Sequence, residues 1–290
     1  MVRWFGLLLG VLCLQATVTQ AFAQQQQVPQ ISYYGAEFYR RVTMGESNDG
    51  LQDLIRYVLR ADHRAVPGRP DEIMDRCSGQ GCYRHTVIGY NRARQFLMGY
   101  FYLVRNGNQY GVREVYCERV VGANEFRGRP PGPGQIPDDR VVNVEHTWPQ
   151  SRFSGRFNKE EQKSDLHHLY PTNSQMNSTR SSFPFGEVRE QRNGRLACDN
   201  GRFGLPSSRS GLVFEPPQGH KGNVARALFY FSVRYELRID PEQEATLRQW
   251  NRMDPPDQDE IARNNEIFKA QGSRNPFIDF PQLADRIRDF

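Results

Sequence analysis

Residues 143–153 read NVEHTWPQSRF, and residues 164–180 read SDLHHLYPTNSQMNSTR. The first stretch sets Glu145 and His146 side by side at the end of a valine-rich run that a Trp-Pro pair stops. The second brings two more histidines, so half of the chain's 6 histidines fall between residues 146 and 168. Read as a strand, VVNVEH sends Glu145 and His146 to opposite faces, because side chains alternate. A shared site then requires the strand to end or bulge there, and Trp148-Pro149 is a fitting terminator. DLHHLY alternates too, with Asp165, His167 and Leu169 on one face and Leu166, His168 and Tyr170 on the other. One of the two histidines is therefore expected to face the site. Pro171 marks the next change, and TNSQMNSTRSS reads as a helix capped by Thr172 or Asn173. Asn173, Asn177 and Arg180 share one side of that helix, with Ser181 beside them. The expected layout is strand, strand, helix.

These groups have a joint chemistry. A hard divalent cation such as Mg²⁺, or Mn²⁺ or Ca²⁺ in its place, takes oxygen ligands and commonly uses one or two protein oxygens with water and phosphate. Glu145 and Asn177 supply such oxygens. An imidazole is a poorer ligand for that ion but a good general base near neutral pH, which suits His146 to activating water. Arg180 is expected to neutralise charge on a phosphate, with Asn173 and Ser181 as substrate contacts. Asp165 and His167 are expected to orient neighbours from behind the site.

Working outward, GLQDLIRYVLR (50–60) predicts a helix through Leu51, Leu54, Ile55, Val58 and Leu59, capped by Asn48 or Asp49. A second helix is expected over 91–104 and a strand over 111–121. RGRPPGPGQIP (127–137) reads as a loop. NVARALFYFSVRYEL predicts a helix capped by Asn223. Asp240 with Pro241, and Asp257 with Gly272, delimit two more. His220, Lys221 and Arg226 cluster at the start of the first of these, where backbone N–H groups can receive a phosphate. Helices at both ends with a small β region between them make an α+β fold, with a single domain over 24–290 whose catalytic core spans 138–280.

The first 23 residues read as an export signal: Arg3, an apolar stretch from Trp4 to Leu14, and Ala21-Phe22-Ala23 as cleavage site. Leu12 before Cys13 argues against a lipoprotein anchor, and no later run is long enough to span a membrane. Cys77, Cys82, Cys117 and Cys198 then remain, an even number that in an exported chain reads as two disulfides with three possible connectivities. The pairing expected is Cys77–Cys82 with Cys117–Cys198. Zinc is weakly supported because no C-x-x-C pair occurs. The chain carries a net charge of +5, and 34 of its 38 basic residues are arginine. Arginine's planar fork suits phosphate, although compositional bias raises arginine as well.

VEHTWPQSRF, SDLHHLYPTNSQMNSTRSSFPFGEV, HKGNVARALFYFSVRY and LRQWNRMDPPDQDEIARNNEIFKAQGSRNPFID, four blocks in order over residues 138–280, resemble the bacterial endonuclease I family. The resemblance implies a secreted or periplasmic nuclease with a ββα-metal (His-Me) finger at about 141–185. It implies His146 as general base, Glu145 and Asn177 as ligands to one Mg²⁺ or similar ion, and cleavage of DNA, and often RNA, with little sequence preference. The chain departs from members that carry a cysteine-bearing insertion with a phosphate-contacting arginine between the two strands. Here that stretch is SGRFNKEEQK, whose basic residues are Arg156, Lys159 and Lys163.

The expectation is a monomeric, exported endonuclease acting on nucleic acid through the phosphate backbone, with no membrane partner. Two other readings compete with it. A zinc hydrolase would use the same His-Glu cluster, but H-E-x-x-H is absent. A non-catalytic nucleic-acid-binding protein would keep the arginines without turnover.

Overall fold

In the computed structural model of the chain, residues 30–290 are described, other than 193, 195 and 208–210. The expected export signal lies outside them. The helices are α1 (Gly35–Thr43), α2 (Asn48–Arg60), α3 (Tyr90–Phe96), α4 (Lys159–Ser164), α5 (Ser174–Arg180), α6 (Lys221–Tyr235), α7 (Pro241–Met253), α8 (Gln258–Gln271) and α9 (Pro276–Asp279). Among the described residues four small antiparallel sheets lie between these helices. β1 (Asp62–Arg64) runs between β2 (Glu72–Met74) and β3 (Cys82–Tyr83), and β5 (Gln109–Glu114) between β4 (Leu103–Asn106) and β6 (Arg119–Gly122). β7 (Val142–His146) pairs with β8 (Leu169–Asn173), and β10 (Arg202–Leu205) lies between β9 (Glu190–Gln191) and β11 (Val213–Glu215). The class is mixed α and β, as composition and periodicity suggested.

α6 is the axis of the core. Every residue in it but Asn223 is buried, the condition expected of a helix that is apolar nearly all round. Phe231 stacks on Trp148, and Phe229 on Phe290. A second apolar cluster, including Leu97, Val112, Val142, Leu166 and Leu169, packs the β4–β6 sheet against the β7–β8 pair.

Local signals placed several ends well. Asp240 and Asp257 cap α7 and α8 through their side chains, and Gly272 closes α8 with φ of 71°. Elsewhere tertiary context overrode them. The helix expected over 91–104 ends at Phe96 and widens into a π-turn over Leu97–Phe101. A Cβ on Gly99 would meet the backbone of Gln135 at 2.8 Å, so the chain must pass close there. Leu103 and Val104 belong instead to a hairpin that turns through Gly107-Asn108. The strand expected over 111–121 is two strands, because the Glu114 carboxylate accepts from Tyr116 N–H and Cys117 N–H and folds the chain over. α6 begins at Lys221 rather than after Asn223, following a short turn over Gln218–His220. α2 starts behind Ser47, one residue before the expected cap. The disulfides are Cys77–Cys82 and Cys117–Cys198, the pairing expected.

Candidate active site

β7, β8 and α5 form one continuous unit. The β7–β8 register pairs Glu145 with Tyr170 and His146 with Leu169, and α5 follows β8 directly. DLHHLY is not a strand throughout: Asp165 accepts from His167 N–H and winds Leu166–His168 into a 3₁₀ turn. The alternation of 165–168 therefore gave the wrong faces, and both histidines are fully buried. β7 ends at His146 and the chain swings away through Trp148-Pro149, which lets adjacent residues reach one place. Glu145, His146, Asn177, Arg180 and Ser181 line a cleft of about 770 Å³, together with Pro149, Gln150 and Ser182.

His146 is held in a defined state. Its Nε2 lies 3.1 Å from the carbonyl oxygen of Lys163. A carbonyl can only accept, so Nε2 carries the hydrogen and Nδ1 keeps its lone pair. Gln150 Nε2 stands 3.3 Å from that Nδ1. Burial, reinforced by the nearby His168, pushes the ring's pKa well below the ordinary histidine value, which keeps it neutral. The rings of Tyr90 and His168 pack against it at 5.5 and 5.4 Å. His168, bonded to the Gln162 carbonyl, is thus the histidine behind His146. His167 faces away, toward the Ser273 carbonyl and the Tyr230 ring. Asp165 lies with it, accepting from the hydroxyls of Tyr230 and Tyr235 and from Gln271.

Glu145 is 1% exposed, and burial raises its pKa against the pull of Arg180. Arg180 Nη1 lies 2.9 Å from Oε1 but is not aligned as a hydrogen-bond donor, so Oε1 ends buried without a hydrogen-bond partner. The hydroxyl of Tyr116 nearby is left likewise. Asn177 donates its amide hydrogens to Asn143 Oδ1 at 2.8 Å and to the Val144 carbonyl at 3.2 Å, which leaves its own oxygen as the available ligand atom. An orphaned carboxylate oxygen and an oriented amide oxygen suit a hard divalent cation. Among the described residues no three of His, Cys, Asp and Glu gather as a metal-binding group, so the donor set does not resemble a structural or catalytic zinc site.

Other expected site residues are committed elsewhere. Arg180, 2% exposed, donates to the carbonyls of His146, Thr147 and Ser181, and is spent on holding the turn after β7. Asn173 caps α5, its side-chain oxygen accepting from Gln175 N–H and Met176 N–H. Ser181 does line the cleft, in a left-handed conformation with φ of 50°. His220, Lys221 and Arg226 do not form a phosphate site. Lys221 is paired with Glu187 and Glu215, each at 2.8 Å. Arg226 is clamped by Glu260, and His220 is wedged edge-on to Tyr170. The first-turn N–H of Gly222 is already taken by Asp254. Because α6 is internal, its cations need carboxylate partners rather than solvent or substrate. Asn143, Gln150 and Tyr116 were missed, and His168 was left as an alternative to His167; only the closeness of Asn143 and Gln150 to Glu145-His146 could have drawn attention to the first two.

Comparison with known proteins bears on this arrangement. Residues 107–282 match the family described as Endonuclease I. The chain is similar to an extracellular ribonuclease of Bacillus subtilis (strain 168), at 29% identity over 89% of this chain and 81% of that one. It is also similar to an extracellular deoxyribonuclease of Aeromonas hydrophila, at 35% identity over 43% of this chain and 52% of the relative. A protein named Endonuclease-1 from Buchnera aphidicola subsp. Baizongia pistaciae matches at 30% over 42% of this chain and 49% of its own length. The chain thus spans most of the ribonuclease but only about half of the other two.

Proposed function

The chain belongs to the endonuclease I family, and from that premise we propose that it is an exported endonuclease that hydrolyses phosphodiester bonds in DNA and RNA with little regard to sequence. Relatives named both deoxyribonuclease and ribonuclease, extracellular and periplasmic, support the substrate and the export. No described helix is long and apolar enough to cross a membrane. The enzyme acts as a monomer. β7, β8 and α5 are read as its ββα-metal finger.

One observation carries this reading. A neutral His146 with its Nδ1 lone pair free of its own backbone stands in the same cleft as the Glu145 and Asn177 oxygens. His146 takes a proton from a water molecule as that oxygen attacks phosphorus. The bond to the 3′ oxygen breaks, leaving a 5′ phosphate and a 3′ hydroxyl. The hydrogen bond to the Lys163 carbonyl favours the imidazolium that forms, since both ring nitrogens then donate. Gln150 steadies Nδ1 or the water it activates. Glu145 and Asn177 would hold a divalent ion, Mg²⁺ or the similar Mn²⁺ or Ca²⁺, which when bound polarises the phosphoryl oxygen and stabilises the leaving oxygen. Divalent-ion dependence is general in the family. Arg180 acts here as a positioning residue for Glu145 and the β7 turn.

Nicking of supercoiled plasmid by the purified protein, with Mg²⁺, with EDTA and with His146→Ala, tests the proposal. Mg²⁺-dependent nicking that falls by about 10²–10⁴ in the variant, with plasmid binding retained, is the expected result. Undiminished cleavage by His146→Ala sinks the mechanism.

A further inference from the structure

A second groove, of about 590 Å³, adjoins the catalytic cleft, and Pro149 and Arg180 border both. Its walls include the half-buried Phe183, Pro184 and Leu237. Two exposed arginines, Arg152 and Arg238, stand on it. Neither has an acidic partner among the described residues, so both guanidinium groups are available to a ligand, unlike the buried cations of α6, which are paired. Asp240, also at the rim, turns its carboxylate onto the α7 N–H groups of Glu242 and Gln243. Gln243 lines the groove too, and its side-chain amide, bonded by no described group, is open to solvent and to a ligand there.

We propose that this groove seats the nucleotide next to the scissile phosphate with its base unstacked, and that single-stranded nucleic acid is therefore the preferred substrate. The inference rests on the nuclease reading of the adjoining cleft. Arg152 and Arg238 match the phosphates on either side of that nucleotide. The apolar walls match a base face, for which stacking is tolerant of sequence. Gln243 offers both a donor and an acceptor to a base edge. A paired base would have to leave its duplex to enter, and that cost falls on duplex substrates alone. The groove thereby adds substrate selection without adding sequence selection.

The test compares kcat/KM on a fluorescent single-stranded oligonucleotide, on its blunt duplex, and on bis(p-nitrophenyl) phosphate, which is too small to reach beyond the catalytic cleft. Wild type is expected to favour the single strand over the duplex by on the order of tenfold. Arg152→Ala, Arg238→Ala and Gln243→Ala should each narrow that ratio, and lose more on the oligonucleotide than on the small ester. Arg105→Ala, on the remote β4–β5 hairpin, serves as a control and should keep the ratio. A wild type that prefers duplex, or variants that lose equally on every substrate, overturns the proposal. Should wild type cleave nothing, the nuclease reading falls separately. Anisotropy of the labelled single strand in EDTA then judges the groove: weaker binding by the arginine variants upholds it as a binding site, and equal binding overturns it.

Discussion

Arg180 and Glu145 form an ion pair closed to solvent, with Nη1 2.9 Å from Oε1 and side-chain exposures of 3% and 1%. The pair ties α5 to the end of β7, and the same guanidinium holds the carbonyls of His146 and Thr147.

Arg180→Ala should therefore act first on stability. Removing one partner of a buried pair leaves an uncompensated charge and costs about 3–5 kcal/mol. Urea unfolding is the measurement. A variant that loses activity while unfolding at the wild-type midpoint would return Arg180 to direct contact with substrate.

Asn143 holds Asn177 in the orientation that offers its oxygen to the cleft. Asn143→Ala should raise the divalent-ion concentration needed for half-maximal nicking by roughly 10–100-fold, with most of the maximal rate recovered at saturating ion. An unchanged ion requirement would mean that the amide is oriented by other means.

Buried histidines should make the fold sensitive to acid. Burial, with Arg263 and Arg226 nearby, holds His220 down to about 3, and burial holds His168 down to about 4. The folded values lie below the unfolded one of about 6.5, so the neutral rings contribute fully above that pH. As pH falls below it, the unfolded chain binds protons that the folded chain refuses, and stability drops by up to about 1.4 kcal/mol per pH unit for each ring. His220→Phe should flatten the decline between pH 6 and pH 4 by about one proton. An unaltered slope in urea midpoints across that range would show that His220 titrates normally.

The two disulfides should differ in worth. Cys117–Cys198 closes a separation of 81 residues and Cys77–Cys82 one of 5. Constraint of the unfolded chain grows with loop length, so replacing the first pair by serine should cost roughly 2 kcal/mol more than replacing the second. Equal unfolding midpoints for the two double variants would contradict this.

Much of the fold was legible where signals are local. Asp240-Pro241 and Asp257 with Gly272 delimit α7 and α8 because a side-chain cap and a left-handed glycine act within one turn of chain. The strand–strand–helix order around Glu145, His146 and Asn177 was legible for a similar reason, through short alternating runs and turn residues. The β4–β5 hairpin was missed although its turn, Gly107-Asn108, is announced by a glycine, because a helical period through Leu97 and Phe101 competed for the same residues.

By itself the sequence determined which chemical groups are near one another along the chain, where several elements begin and end, and which cysteines exist to be joined. Tertiary structure alone decided what each group faces. His168 rather than His167 backs His146, because Asp165 winds the intervening residues into a 3₁₀ turn. Arg180 and the cations of α6 are internal ties rather than phosphate contacts, because these side chains are buried against carboxylates more than 30 residues away along the chain. Burial depends on contacts far apart in sequence. The free energy of a charge depends on burial, so its role is set only when those contacts form.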